Sequence, residues 1–310
     1  MKERTIYYSD PLNDDFAGTD INTVTLPDDY KYFPKTAIRR GFAGGLNFAI
    51  SPIILLLQQT VYGEKIVGRE KLKGYRKDGF FLYGNHTRTM GDAYCPNLLA
   101  FPKKAYIVAS ADCFSIKGIR RFVEDLGGIA LPNDPKGFKN YSQAMKQHAE
   151  KGHIVALYPE AHIWPQYTGI RPFKPATLHY PAESGKPVFT FTTTWQKRKI
   201  LPGARTVVYV DGPFIPDMNL PMDKRKEALR DQALEAMTER AKNSNYEKIH
   251  YVYRPKDAEG AASEKTTAKS TSKEDPTEAK GAILEQDARQ KAYPATPADI
   301  YGGRCYRLHL

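Results

Sequence analysis

A histidine and an aspartate, six positions apart, directly follow an apolar run in LYGNHTRTMGDAY, residues 82–94. An unperturbed histidine titrates near pH ~6.5, so a neutral imidazole can accept a proton under ordinary conditions. A carboxylate beside the ring would fix its tautomer and stabilise the imidazolium that forms. His86 and Asp92 therefore predict general-base chemistry, with Asp92 as the partner of the base. The alternative is a turn histidine followed by the acid of a helix start.

A second group of polar residues follows a later apolar run. HIVALY, residues 153–158, leads directly into Pro159 and Glu160, which places another acid at the predicted end of a strand. The segment RPFKPATLHYPAE follows and brings Arg171 and Lys174. Ligands of open α/β sheets bind beyond the carboxyl ends of the strands, so both groups are expected at one edge of a sheet.

The elements that must position these residues are visible as alternating strand and helix patterns. Continuous apolar or β-branched runs are typical of strands covered on both faces. They predict strands at 79–84, 104–110, 153–158, 186–195 and 205–214. Helical spacing of apolar residues predicts helices at 115–128, 137–152 and 222–243. Residues 64–254 are therefore predicted to form one α/β domain with a mixed, mostly parallel sheet flanked by helices.

Residues 35–63 precede this domain and combine basic with apolar residues. Lys35, Arg39 and Arg40 lead into an apolar stretch that is shorter than the ~20 residues a spanning helix needs. Pro52 interrupts the stretch, so we expect a short helical hairpin lying in a membrane interface, with the basic residues on lipid headgroups. The alternative is an ordinary pair of core helices.

The two ends of the chain differ in composition from the domain. Residues 1–34 carry three Lys or Arg against seven Asp or Glu and predict an extended acidic arm. Residues 255–291 contain almost no large apolar side chains, which is typical of a disordered linker. Residues 292–310 regain Tyr, Ile and Leu and are expected to be a C-terminal segment that docks on the body or on a partner.

Charge and cysteine usage limit the class of protein. The net charge is +11, and the basic excess lies in the body, which favours an anionic surface such as phospholipid headgroups. No motif for binding RNA or DNA accompanies the charge, so a nucleic-acid partner is not expected. The three scattered cysteines predict neither a disulfide framework nor a zinc site. Together with an N-terminus lacking a secretory signal, they favour a reducing cytoplasmic setting.

The order of these blocks resembles the glycerolipid acyltransferase superfamily, in its lysophosphatidic acid (1-acylglycerol-3-phosphate) acyltransferase branch. The blocks are Asn-His…Asp after a strand, Gly-Gly-Ile-Ala-Leu, Tyr-Pro-Glu after a strand, Phe-Lys-Pro-Ala and Lys-Pro-Val-Phe, within residues 64–215. The resemblance implies a glycerolipid acyltransferase fold. It also implies an O-acyltransferase that moves a fatty acyl group from acyl-CoA or acyl carrier protein to the hydroxyl of a lysophospholipid.

The resemblance also implies roles for individual residues. His86 would be the general base and Asp92 its partner, with no acyl-enzyme, cofactor or metal. Asn85 and Thr87 are candidates for stabilising the oxyanion or positioning the reactants. Glu160, His162, Arg171 and Lys174 are candidates for binding the acceptor.

The chain departs from the family pattern in three places. The first block is His-x5-Asp rather than His-x4-Asp, and an extra residue turns a regular helix by about 100°. The turn before the helix, where Gly91 lies, must therefore absorb it. Two arginines that the resemblance assigns to the acceptor's phosphate are also missing. Either Arg171, Lys174 or His162 replaces them, or the acceptor is not a simple glycerol phosphate.

The sequence thus predicts a peripheral or monotopic enzyme at the cytoplasmic face of the cell membrane. Its partners would be the phospholipid membrane, a lysolipid acceptor and an acyl thioester. The altered blocks leave one rival open, a non-catalytic protein that binds lipid or acyl thioester on the same fold.

Overall fold

A seven-stranded mixed sheet forms the centre of the domain. The structure, a computed structural model, describes residues 3–17, 25–34, 36–61, 63–89, 91–115, 120–200 and 202–255. In these ranges the sheet has the spatial order β2-β8-β7-β3-β6-β4-β5. Its strands are β2 (Lys65–Val67), β3 (Phe80–Gly84), β4 (Ala105–Ala109), β5 (Gly128–Ala130), β6 (Ile154–Leu157), β7 (Val188–Lys197) and β8 (Ala204–Phe214). Only β7 and β8 run antiparallel, so the predicted mixed, mostly parallel sheet is confirmed.

Helices cover both faces of this sheet. They are α2 (Cys95–Ala100), α3 (Arg120–Asp125), α4 (Phe138–Glu150), α5 (His179–Ser184) and α6 (Met222–Ala241). The central strand β3 shows why, because its side chains alternate between two cores. Phe81 and Tyr83 pack in the core with α4 and α6, whereas Phe80 and Leu82 pack in the core with α2. A strand buried on both faces must be apolar throughout, as its sequence predicted.

One long helix, α1 (Ala37–Val61), precedes the sheet, and this corrects the predicted helical hairpin. Pro52 lies inside the helix on its exposed side, where the missing backbone hydrogen bond does not break a packed interface. Arg39 also departs from the prediction, since it pairs with Glu124 and Asp125 at 3.1 Å each rather than facing away from the body.

The polarity of α1 is reversed relative to a surface helix of a soluble protein. Its buried face carries Ala43, Asn47, Ser51 and Gln58. Its exposed face carries large apolar side chains, namely Ile38, Phe42, Phe48, Ile53, Leu56 and Leu57. By length and composition Ala37–Thr60 is able to cross a membrane, and only 22% of its most apolar window is buried in the structure. A core helix passes the same composition test but would be mostly buried.

The acidic arm packs on the body as an extended segment. Strand β1 (Arg4–Tyr8) pairs in parallel with β9 (Ile249–Tyr253) in a separate two-stranded sheet. Further along, Asp14 accepts a hydrogen bond from Trp164 Nε1 through its backbone carbonyl at 2.8 Å. The arm therefore lies over the loop that follows β6. The predicted linker and C-terminal segment, from residue 256 onward, lie outside the described residues.

Candidate active site

His86 and Asp92 lie in a turn between β3 and α2, at the carboxyl end of the central strand. Their side chains meet directly, with His86 Nδ1 and Asp92 Oδ2 2.9 Å apart. Residues 87–89 and 91 are not helical, and α2 begins only at Cys95. The extra residue of the His-x5-Asp spacing is therefore absorbed in the turn, as the sequence required.

Gly91 lies in this turn, close to the side chain of Arg88. A Cβ atom at Gly91 would lie 2.9–3.0 Å from the guanidinium of Arg88, so a larger residue there would require the guanidinium to shift. Because Arg88 Nε donates to Asp92, such a shift would disturb the contacts of the carboxylate.

Asp92 is held as an ionised acceptor. Its Oδ2 accepts from the backbone N–H groups of Thr87 and Arg88 at 3.0 Å, and its Oδ1 accepts from Arg88 Nε at 2.9 Å. Burial alone raises the pKa of Asp92, but the hydrogen bond from His86 and the charge of Arg88 outweigh it and hold that pKa below its usual value. An ionised carboxylate donates no proton, so the proton between the two side chains belongs to His86 Nδ1. In the neutral ring, His86 Nε2 is then the unprotonated nitrogen.

Two further contacts position His86. Its ring stacks on Tyr158 with a centroid distance of 4.4 Å, and Tyr158 donates to the carbonyl of Asp92 at 2.6 Å. Its backbone N–H donates to Glu160 Oε2 at 3.0 Å. The side chain keeps 18% exposure, so the ring is accessible while the Asp92 side chain, at 1%, is not.

Asn85 and Thr87 connect the turn to neighbouring elements, and their expected oxyanion or positioning role stays a prediction. The Asn85 amide donates to the carbonyl of Thr193 in β7 and accepts from its N–H, at 2.9 and 2.8 Å. The Thr87 hydroxyl donates to the carbonyl of Tyr167 and accepts from Trp195 Nε1. Both side chains are buried and fix the turn to its neighbours.

Glu160 and Arg171 form an internal pair rather than an exposed acceptor site. Glu160 accepts from the backbone N–H of Arg171 at 2.9 Å and from its Nη2 at 3.4 Å. Arg171 also donates to the carbonyl of His162 and stacks over Trp164. Both side chains of the pair are at most 2% exposed, so neither can hold a phosphate without rearrangement, which corrects the expected acceptor role.

His162 and Lys174, the other two predicted acceptor residues, are partly exposed. His162 Nδ1 lies 3.4 Å from Asp15 of the N-terminal arm. Lys174 lies just before a 3-10 turn, and its backbone carbonyl accepts from Thr177. In the described part of the chain neither side chain contacts His86 or Asp92, so the structure does not bring these two residues to the pair.

Sequence reasoning missed the residues behind Asp92. Arg88, 4% exposed, donates through Nη1 to Gln58 Oε1 of α1 at 3.2 Å and forms an ion pair with Glu64. The available signal was the i, i+4 spacing of Arg88 and Asp92, which is a common spacing for ion pairs. Apart from that spacing, the sequence does not distinguish a buried arginine in a polar segment from a solvent-exposed arginine.

A cavity of about 110 Å³ lies next to this turn. It lies between the C-terminal end of α1, the turn and the loop after β6. The residues lining it are Gln58, Thr87, Arg88, Thr89, Gly91, Pro165, Gln166 and Trp195. Since a water molecule takes about 30 Å³ in the liquid, the cavity accommodates only a few heavy atoms. Within the described ranges no group of three or more His, Cys, Asp or Glu side chains is placed to hold a metal ion.

The fold and site together define an α/β domain that presents a His–Asp pair at the end of its central strand. No protein-family model matches the chain, and no curated protein matches it in sequence. Among solved structures it is similar to the 1-acyl-sn-glycerophosphate (LPA) acyltransferase PlsC from Thermotoga maritima. The TM-score is 0.46 and the identity 15%, over 67% of this chain and 84% of that chain. A likeness this distant does not determine an activity, so the chemistry has to follow from the chain's own residues.

Proposed function

We propose that this chain is a membrane-associated acyltransferase. It would move a fatty acyl group from a thioester, acyl-CoA or acyl carrier protein, to the hydroxyl of a lysophospholipid. The observation that carries the proposal is the contact between His86 Nδ1 and an ionised, buried Asp92, which leaves Nε2 of an accessible ring as the base. A His–Asp pair can serve as the base in many reactions. We choose acyl transfer because the motif blocks resemble those of the glycerolipid acyltransferase superfamily.

The proposed reaction balances with these two residues. His86 Nε2 takes the proton of the acceptor hydroxyl while the hydroxyl oxygen attacks the thioester carbonyl carbon. The tetrahedral intermediate collapses with cleavage of the C–S bond, and the imidazolium returns the proton to the leaving sulfur. The products are an ester and a free thiol. Asp92 stays ionised throughout and stabilises the imidazolium.

Membrane association is supported by the reversed polarity of α1. Six large apolar side chains lie exposed along one face of this helix, and a contiguous exposed apolar surface is typical of a membrane or protein interaction site. Arg39 fixes the N-terminal end of α1 to α3, and Gln58 fixes its C-terminal end to Arg88. A helix attached to the body at both ends is best placed along a membrane, with its apolar face in the lipid.

The tip of the β7–β8 hairpin extends this surface. Gly63, just after α1, lies close to Arg198 and Arg205, so the hairpin tip is next to the end of the helix. Lys197 and Lys199 are exposed there and Ile200 is 95% exposed. Basic residues beside an exposed apolar one suit the boundary between anionic headgroups and acyl chains. We place this surface at the cytoplasmic leaflet, in keeping with the scattered cysteines.

The cavity beside the turn is lined by Gln58 of α1 but not by His86 or Asp92. In the proposal the acceptor hydroxyl reaches the exposed part of the His86 ring, and the acyl chains stay in the bilayer along α1. The internal pairing of Arg171 with Glu160 favours an acceptor whose phosphate is not bound by two arginine side chains.

The test is a turnover assay with the purified full chain. Acyl-CoA is supplied with vesicles containing one of several lysophospholipids, and both ester formation and thiol release are measured. His86→Asn is expected to lower kcat by about 10²- to 10⁴-fold, the usual contribution of a general base. His250→Asn, in β9, is the matched control and should behave like the unmodified chain.

Two outcomes would contradict the proposal. Equal activity of His86→Asn and His250→Asn would show that His86 is not the general base. Binding of lysolipid vesicles and acyl-CoA without turnover on any acceptor would favour the non-catalytic lipid-binding alternative.

A further inference from the structure

Arg88 lies between the membrane-facing helix and the His–Asp pair. Its guanidinium reaches Asp92 through Nε and reaches Gln58 and Glu64 through Nη1. Gln58 is the buried polar residue at the C-terminal end of α1, and its backbone carbonyl also accepts from the N–H of Glu64 at 3.2 Å. One buried arginine thus connects the end of α1 to the carboxylate that orients His86.

The connection is stiff at the end nearer the site. The guanidinium is planar and presents its donors in a fixed geometry. It lies close to Gly91, where an added Cβ would come within 2.9–3.0 Å of it. The backbone N–H of Arg88 and its Nε both donate to Asp92, so the turn and the guanidinium hold the carboxylate together.

At the end nearer the helix the same network is incompletely satisfied. Among the described residues, Arg88 Nη2 and Glu64 Oε1 are buried without a hydrogen-bond partner. A buried ionic network with unmet atoms is poorly compensated for its desolvation. A small movement of Gln58 and Glu64 therefore changes how many of these atoms are paired.

We propose that Arg88 is a positioning residue that couples the seating of α1 on a membrane to the geometry of His86 and Asp92. This inference rests on the proposed function. Lipid on the outer face of α1 would fix the position of Gln58, and Arg88 would transmit that position to Asp92. Contact with a membrane then raises kcat, independently of how much lipid substrate is bound.

The test compares two adjacent glutamines of α1. Gln58 is buried against Arg88, whereas the adjacent Gln59 is exposed, so Gln58→Ala and Gln59→Ala make the same chemical change at a buried and at an exposed position of one helical turn. The quantity measured is the ratio of kcat on anionic phosphatidylglycerol vesicles to kcat on short-chain substrates in monomeric solution. Vesicle affinity is measured separately by sedimentation.

The unmodified chain and Gln59→Ala are expected to show a ratio of about tenfold or more, equivalent to about 1.4 kcal/mol of transition-state stabilisation. Gln58→Ala should bring the ratio close to one without weakening the binding of vesicles. A ratio in Gln58→Ala equal to that of Gln59→Ala would overturn the coupling, as would a ratio near one in the unmodified chain.

A second readout requires no turnover. The backbone N–H groups of Thr87 and Arg88 both bond to Asp92, so their hydrogen exchange reports on the turn. Vesicles should slow their exchange in the unmodified chain and in Gln59→Ala but not in Gln58→Ala. If this pattern appears without acyltransferase activity, the coupling stands and the proposed function fails. If activity is present and vesicles slow exchange equally in both variants, the coupling is contradicted and the proposed function is retained.

Discussion

Asp92 accepts hydrogen bonds from His86 and from Arg88, and this double role determines what its replacement does. In Asp92→Asn the amide has one acceptor oxygen and one donor nitrogen. Four donors now contact the carboxylate, namely His86 Nδ1, Arg88 Nε and the backbone N–H groups of Thr87 and Arg88, and in the variant they compete for that single acceptor. If Arg88 keeps it, the ring must turn its proton to Nε2 and can no longer act as the base.

Asp92→Asn is therefore expected to lower kcat by about 10²- to 10⁴-fold. It should also lower the free energy of unfolding by about 3–5 kcal/mol, because the buried charge of Arg88 loses a partner. Turnover measured well below the thermal midpoint separates the two effects. Asp78→Asn, at an exposed position, is the control. Unchanged kcat in a folded Asp92→Asn protein would mean that the carboxylate does not orient the base.

The sequence could predict the pair of His86 and Asp92 but not the residues that hold this pair in place. A histidine and an acid after an apolar strand form a recognisable local pattern, so His86 and Asp92 were found. Glu64 and Gln58 lie 24 and 30 positions before Arg88, and no local sequence pattern indicates contacts at that separation. Burial of Glu160 and Arg171 was also invisible, since charged residues are ordinarily read as exposed.

Among the helices and strands, the long and regular elements were predictable from the sequence. The apolar runs behind β3, β4, β6, β7 and β8 and the periodic pattern behind α4 and α6 reflect burial that recurs along each element. The three-residue β2 and the six-residue α2 are too short to show a period. Pro52 led to the wrong division of α1, because a proline on the exposed side of a helix is tolerated there.

The apolar face of α1 yields a prediction about vesicle binding. Ile53 and Leu56 are each 61% exposed on this face, and burial of a large aliphatic side chain is worth about 1.5–3 kcal/mol. Replacing both by serine should weaken binding to phospholipid vesicles by at least about tenfold while the thermal midpoint stays nearly constant.

The control for α1 uses equally exposed apolar residues elsewhere. Ile215 and Met218 follow β8 and are 54% and 53% exposed. Their double serine variant removes similar apolar surface from another face of the molecule. Equal weakening of vesicle binding by both double variants would show that α1 is not the docking face.

At the scale of the whole molecule, the domain combines a rigid sheet with two attachments that cross it. The acidic arm covers the loop after β6, and α1 reaches the turn after β3. Both attachments converge on the carboxyl end of the sheet, where His86 lies. The +11 net charge and the apolar face of α1 then act together, since charge attracts the molecule to an anionic surface and apolar burial holds it there.

The pH dependence of global stability is set in part by a buried pair of histidines away from the site. His148 of α4, fully buried, and His153 join through their Nδ1 atoms at 2.9 Å, so one Nδ1 donates and the other, on a neutral ring, accepts. Burial, reinforced by the neighbouring His153 and by Lys151 and Lys104, lowers the pKa of His148 to about 3. Burial and nearby lysines lower the pKa of His153 to about 4.

These lowered values predict loss of stability on mild acidification. An unfolded histidine binds a proton near pH ~6.5, whereas the folded His148 does not until about pH 3, so the unfolded state binds more protons between these limits. Stability is complete above pH ~6.5 and declines below it by up to about 1.4 kcal/mol per pH unit for each such proton. His148→Phe, which can stack on Phe33, removes one of these protons and should flatten the decline between pH 6.5 and 5 in denaturant titrations. The same slope in His148→Phe and in the unmodified chain would show that another group governs the acid sensitivity.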